Sequence, residues 1–347
     1  MRNIQLLDCT LRDGGFGLED AFYKNLSDLK FSLEDIDIVA NQISNSNVDI
    51  VEIGAVEISK NDKTEFAIYQ KIEDISKKIP KTNKKGQMFS ALYRGPDTPI
   101  ENIPKWDKDL ITGVRVILRY SELKKSLEFC KSLSEKGYKV FVQPMLTMRY
   151  TEDEIQMLID YSNDMNAYAL YFVDSYGYMQ KADIERFFYK YNEKLNPNIK
   201  IGFHAHNNMN LAFSNAIDFL SIENDSRDII VDSCITGMGQ GAGNLQTEII
   251  SDHLNKYFGK NYDYGYILDA CDVIEKYCEP VLWGYSVTRL LPAIHQVAYK
   301  YSVMLRAKHK FSYREINDIL SNMPEELRHR YTEENLLKLL KFNGLSC

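Results

Sequence analysis

No stretch of this 347-residue chain approaches the ~20 consecutive apolar residues of a membrane helix, which excludes a helical membrane span. Positive charge is not in excess either: 42 Lys and Arg stand against 49 Asp and Glu, a formal net charge of −7. A nucleic-acid backbone selects proteins with a basic field, so nucleic acid is excluded as the main partner. Cysteine is sparse and scattered, at positions 9, 130, 234, 271, 278 and 347, with no C-x-x-C pair and no zinc-ribbon spacing. Most of these thiols are expected as small core residues in a reduced compartment. No signal-peptide apolar core follows Met1, so the expected location is the cytoplasm. Low-complexity tracts and disordered linkers are missing too. The apolar fraction of 44% and the charged fraction of 26% are those of a soluble globular protein. The length suits a barrel of about 250 residues with a smaller appendage.

Short β-branched runs recur along the chain, each followed by a segment with apolar residues at helical spacing. Strands are predicted near Ile4–Asp8, Asp49–Ile53, Gln87–Leu92, Val114–Leu118, Lys139–Gln143, Ala169–Val173, Lys200–His204 and Asp228–Ser233. Runs such as "VRVIL" and "ALYFV" are almost continuously apolar, as in strands buried on both faces. In "TEDEIQMLIDYSNDM" a Thr precedes an acidic first turn, as at a helix start. Eight strands alternating with helices predict an α/β fold, a (β/α)8 TIM barrel, with a doubly wound open sheet as the alternative. The strand pattern stops after residue 262. Residues 1–262 are therefore read as the barrel and 263–347 as a helical C-terminal appendage.

Three stretches carry chemistry. In "LDCTLRDGGF" a strand runs into Arg12, Asp13 and two glycines, which aims a cation and a carboxylate at one small ligand or makes a turn with a surface ion pair. In "GFHAHNN", His204 and His206 are two apart at a strand end, so both project to the same side. The seventh strand of a barrel is separated from the first only by the eighth. Asp13, His204 and His206 are therefore expected to converge on one metal ion, leaving positions open for water and substrate. "TGMGQGAGN" follows strand eight; its glycines, among them Gly239 and Gly241, bring backbone close to a ligand or make tight turns. A relaxed dinucleotide fingerprint also fits that loop, but at the wrong place in the chain, and phosphate binding after strands seven and eight suits it better. Asn244 is a further oxygen donor, to the metal or to an outer-shell water. Ser175, in "FVDSYG", is read as a donor to a substrate carboxylate or as a helix N-cap. Glu52 is a base or a partner of Arg12. Arg119 adds positive charge near the mouth for an anionic substrate or is a solvated loop residue; for Arg149 the solvated reading is preferred.

Taken together, "TLRDG" at the first strand, "HAHNN" at the seventh and "GMGQGAGN" after the eighth resemble the DRE-TIM metallolyases. That superfamily includes hydroxymethylglutaryl-CoA lyase, isopropylmalate and homocitrate synthases and 4-hydroxy-2-oxovalerate aldolase. The overall look, with "WGYSVTRLLPAIHQ", is most similar to aldolase-domain proteins of bacterial surface-polysaccharide gene clusters. The resemblance implies a divalent ion on Asp13, His204 and His206, with Mn2+ or Mg2+ first and Zn2+ or Co2+ as further options. It implies assistance from Asn244, an Arg12 that stabilises an enolate, and a Ser175 that contacts substrate. The implied reaction is an aldol cleavage or condensation between a pyruvate-type 2-oxo acid and an aldehyde, sugar-derived aldehydes included; the alternative is a Claisen-type reaction of an acyl-CoA thioester. Two departures bear on substrate. Phe16 stands where hydroxy-oxovalerate aldolases carry a His, and Gly15-Phe16 stand where the synthases carry Glu-Gln. The general base is left open among Glu52, a metal-bound hydroxide and Tyr285. An amidohydrolase is disfavoured because its HxH lies on the first strand, and a silent scaffold because the Arg-Asp-His-His set is intact. The C-terminal helices are expected to complete the pocket, to form a homodimer or to dock a partner enzyme.

Overall fold

The computed structural model describes residues 2–21, 28–81, 86–223 and 226–345. Eight parallel strands surround one axis: β1 (Ile4–Asp8), β2 (Ile50–Val56), β3 (Met88–Tyr93), β4 (Gly113–Leu118), β5 (Lys139–Pro144), β6 (Ala169–Asp174), β7 (Lys200–Ala205) and β8 (Ile229–Ser233). Asp8 of β1 is in register with Val51 of β2 on one side and with Ser233 of β8 on the other, so the sheet closes on itself. The chain is a TIM barrel, and closure rules out the doubly wound sheet. A two-residue strand, Ile68–Tyr69, adds to the outer end of β2.

The apolar runs behave as expected of strands covered on both faces: every residue of β2 and β6 is buried. Thr151 caps the helix Glu152–Asp164 by accepting from the Glu154 backbone N–H, and Glu154 reciprocates in a capping box. One connection departs from the expected alternation. Between β3 and β4 the chain makes only a 3-10 turn, Ile100–Asn102, where the other barrel units carry an α-helix.

Beyond β8 and its helix Thr247–Phe258 the chain is helical. The helix Tyr264–Val281 buries Ile267, Ala270, Ile274 and Tyr277 in the barrel's own core. The helices from Val287 to Phe342 form a second core of their own, with Leu291, Tyr301, Leu305, Ile316, Leu320 and Leu340 among its members. Polar contacts fix this helical unit to the barrel mouth. Lys300 pairs with Asp20 at 2.6 Å, Arg149 with Glu325 at 3.1 Å, and the Tyr176 hydroxyl meets His329 Nδ1. Arg149 is thus a docking residue rather than a solvated one. Among the described residues no helix is long and apolar enough to cross a membrane.

Candidate active site

The segment after β1 is a single wide turn of π-helix, Thr10–Gly14, all of it buried. Such turns break regular hydrogen bonding and recur where side chains must be aimed. Thr10 Oγ1 accepts from the Ile235 N–H at 2.7 Å and ties the turn to the loop after β8. The glycine pair is not there for an unusual backbone. Gly14 and Gly15 have helical φ of −61° and −57°. Their requirement is space: a Cβ on Gly15 would stand 2.0 Å from the Phe66 carbonyl oxygen. Any side chain there would push the turn, and Asp13 with it, out of place.

Asp13 and Arg12 belong to a closed ring of buried charges. Arg12 reaches Asp13 at 3.1 Å and Glu52 at 2.7 Å. Glu52 is also held by Arg115 at 2.9 Å, and Arg115 in turn holds Asp232. Asp232 accepts from His204 Nδ1 at 2.9 Å, and His204 Nε2 lies 3.4 Å from Asp13, completing the circuit. Burial opposes ionisation of Asp13, but Arg12 and the two histidines outweigh it and hold the carboxyl well below its usual range. Burial likewise works against a charged His204, yet its bonds to Asp13 and Asp232 hold its pKa well above the ordinary histidine value. His206, half-buried and without a carboxylate in hydrogen-bond contact, is lowered by desolvation to about 4 and is neutral near pH 7.

These residues suit a divalent cation. With His204 fixed through Nδ1 on Asp232, its Nε2 is the atom available to a cation, and a carboxylate behind a histidine is the usual support for a metal ligand. His204 and His206 stand edge to face, ring centroids 5.2 Å apart, and with Asp13 they line one cavity of about 300 Å³. Asn244 is bridged to His206 across two chain segments, and its Nδ2 donates to Asp13 at 2.7 Å. Its Oδ1 is buried without a hydrogen-bond partner, an acceptor that a cation would satisfy. Once His204 gives up its proton on binding a cation, the ring carries two guanidiniums and three carboxylates, a net charge of −1 that a divalent ion turns to +1. Among the described residues, the one cluster of three possible ligand atoms within 4.8 Å of one another is Cys9, Asp13 and His204, and His206 lies outside it. Cys9 does not line the cavity, however, and its sulfur faces Cys234 Sγ at 3.3 Å.

Residues 117–274 match the HMGL-like family model. A 4-hydroxy-2-oxovalerate aldolase from Thermomicrobium roseum is 25% identical over 276 residues, covering 78% of this chain and 72% of its own. One from Moorella thermoacetica is 24% identical over 322 residues, covering 90% and 88%. Among solved structures, the N-terminal domain of a Bacteroides vulgatus protein described as a candidate aldolase superposes with a TM-score of 0.69 at 22% identity, covering 90% of this chain and 98% of that one. The hydroxymethylglutaryl-CoA lyase of Bacillus subtilis gives 0.60 at 18%, covering 82% and 94%. The matched model, these relatives and the shared fold all support the chain's resemblance to the DRE-TIM metallolyases.

The cavity sorts the remaining expected residues. Ser175 lines it, and its Oγ accepts from the Leu146 N–H at 2.9 Å, which leaves the hydroxyl hydrogen for a ligand. Ser175 is not a helix cap, since the next helix starts at Lys181. Gly241 lines the cavity too. Gly239 does not; with φ +155° it makes room for Asn244, whose Nδ2 a Cβ there would approach to 2.3 Å. Glu52 lies beneath Arg12, neutralised by two guanidiniums and out of the cavity, so it is a partner of Arg12 and not a base facing substrate. Arg119 is spent on Asp97, on Glu122 at 3.0 Å and on the Arg94 carbonyl, in a depression beside the cavity. Tyr285 is half-exposed and lines a separate hollow with Arg289 and Arg306. The left-handed Leu282 ends the preceding helix so that Trp283, not Tyr285, bonds the glycine loop at Gly239.

Sequence reading missed Arg115 and Asp232; it offered the C-terminal helices as completing the pocket but named none of Tyr299, Lys300, His329, Arg330 and Tyr331, which line the same cavity as Asp13. Asp232→Asn is expected to lower divalent-metal affinity about 10- to 100-fold, the usual effect of losing a carboxylate behind a ligating histidine. Calorimetric titration with Mn2+ reads it directly; an unchanged affinity in a folded variant would remove Asp232 from the metal's support.

Proposed function

We propose that this protein is an aldolase that makes or breaks a carbon–carbon bond through the enolate of a pyruvate-type 2-oxo acid, with an aldehyde as the other partner. The observation that carries it is the shared cavity: Arg12, Asp13, His204 and His206 line one space at the C-terminal mouth of the barrel. The names of the curated relatives support the same donor class. The acyl-CoA reading has behind it only a fold-level likeness to hydroxymethylglutaryl-CoA lyases.

Asp13, His204 and His206 would hold the divalent ion, with Mn2+ or Mg2+ first and Zn2+ or Co2+ also suited to nitrogen and oxygen ligands. Bound there, the ion supplies Lewis acidity at the donor carbonyl. The remaining work falls to the chain. Arg12, fixed through Glu52 and Asp13, donates to the oxygen on which negative charge develops as the methyl proton leaves. Ser175 donates to the donor carboxylate. Phe16, Leu92, Ile117 and Val173 form an apolar waist around the reacting carbons, and the helical roof keeps bulk water from the enolate.

Loaded with Mn2+ in D₂O, the protein is expected to exchange the methyl protons of pyruvate, followed by NMR, and to leave those of acetyl-CoA untouched. Exchange with the thioester alone would reverse the choice of donor. No exchange with either, aldehyde present or absent, would sink the enolate reading.

A further inference from the structure

The cavity's charge distribution is one-sided. Among the described residues that line it, Asp13 is the single carboxylate, and it belongs to the metal set. The basic residues are Arg12 at the barrel end and Lys300 and Arg330 from the helical roof. Between these two ends lies the apolar waist of Leu92, Ile117 and Val173. A ligand matched to this lining is charged at both ends and carbon-rich between them.

The roof end is built, not incidental. Asp20, buried and outside the cavity lining, gathers three donors that do line it. It pairs with Lys300 at 2.6 Å and accepts from the Tyr299 hydroxyl and the Gln240 amide, each at 2.7 Å. The neighbouring turn is equally fixed. The Arg330 carbonyl accepts from the Tyr301 hydroxyl at 3.0 Å and from Asn335 Nδ2 at 2.9 Å. His329, the residue before it, is held by Tyr176 and by Glu325. Arg330 itself makes no ion pair among the described residues, although Glu325 and Glu333 stand close by in sequence and pair elsewhere. A guanidinium on a pinned turn, exposed at the rim of the cavity and left without a carboxylate, is set for an anionic ligand.

We propose that the aldehyde partner carries an anionic group, a carboxylate or a phosphate, at the end remote from its carbonyl, and that Arg330 receives it with Lys300 beside it. The inference rests on the aldolase reading, since that reading assigns the barrel end to the 2-oxo acid and leaves the roof end to the aldehyde. Arg330 is a specificity-determining residue in this account, and the waist between the two ends takes the carbon chain.

The test uses matched pairs and the full metal-loaded chain. Condensation with pyruvate is measured for glyceraldehyde against glyceraldehyde 3-phosphate, and for butanal against 4-oxobutanoate, in wild type and Arg330→Gln. Wild type should prefer one or both anionic members, which also separates phosphate from carboxylate. Arg330→Gln should lose kcat/KM for the preferred anion by on the order of 10- to 100-fold more than for its neutral counterpart, the worth of one charged hydrogen bond. Direct calorimetry with the unreactive glycerol 3-phosphate and 4-hydroxybutanoate gives a readout apart from turnover: one should bind wild type and bind Arg330→Gln correspondingly more weakly. Equal use of charged and neutral aldehydes, with pyruvate exchange intact, overturns this inference alone. Failure of pyruvate exchange overturns the aldolase reading, and absence of anion binding in calorimetry overturns the subsite whatever the donor. A normal melting temperature and metal content of Arg330→Gln exclude misfolding as the cause of any loss.

Discussion

Arg12→Lys is expected to lower turnover with a 2-oxo acid by about 100- to 1,000-fold at saturating metal and substrate, the scale of losing one preorganised donor to a developing oxyanion. Lysine keeps the charge, but an ammonium on a flexible stem cannot hold Glu52 through Nε, Asp13 through Nη1 and a substrate oxygen in one plane. Because Arg12 braces a metal ligand, the loss has two candidate origins, and metal titration separates them. If Arg12 serves the enolate, the deficit persists with the ion fully bound. If it only steadies Asp13, excess metal restores turnover, and the catalytic role is rejected. Arg12→Ala is a poorer probe: it takes one partner from each of two buried carboxylates, Asp13 and Glu52, and breaking a buried pair typically costs about 3–5 kcal/mol of stability.

The largest effect is expected from the metal ligands themselves. Asp13→Asn or His204→Ala should abolish stoichiometric binding of a divalent ion, read by elemental analysis of dialysed protein, and turnover with it. The loss in affinity should exceed the 10- to 100-fold typical of an outer-shell partner such as Asp232. Asp13→Asn keeps nearly the same shape and retains an oxygen near His204, so a fall in metal content reports on the lost charge rather than on a hole. His206→Ala tests the third ligand separately from the ring, because His206 lies outside the chain of ion pairs. A wild-type metal content in Asp13→Asn would place the ion somewhere else.

Much of this was readable in the sequence, for identifiable reasons. The strands announce themselves because both their faces are covered and they are therefore almost wholly apolar; predicted and observed limits differ by a few residues at most, as Asp49–Ile53 against Ile50–Val56 illustrates. His204 and His206 were legible because a two-residue spacing at a strand end leaves one geometry. Arg115 was hidden by the same logic that exposed the strand. It sits in "VRVIL" as one charge in an apolar run, and nothing local says that Glu52 and Asp232, from strands far away in sequence, neutralise it inside the barrel. The glycines misled in a different way. The sequence reads Gly239 as close to a ligand or in a tight turn, but its need is for space beside Asn244, a fact of tertiary approach with no local signal. The missing helix between β3 and β4 and the roof over the mouth belong to the same class: both depend on which segments meet, not on what each segment prefers.

The floor and the roof of the cavity are written in different parts of the chain. Arg12, Asp13, His204, His206 and Asn244 come from the barrel, whereas Tyr299 to Tyr331 come from a helical unit with its own core. If Arg330 selects the aldehyde as proposed, bond chemistry and partner choice are separately heritable. Recombination within the helices from Val287 onward, or drift in the single turn that carries Arg330, would then retune which aldehyde is accepted while the barrel-end residues are passed on intact.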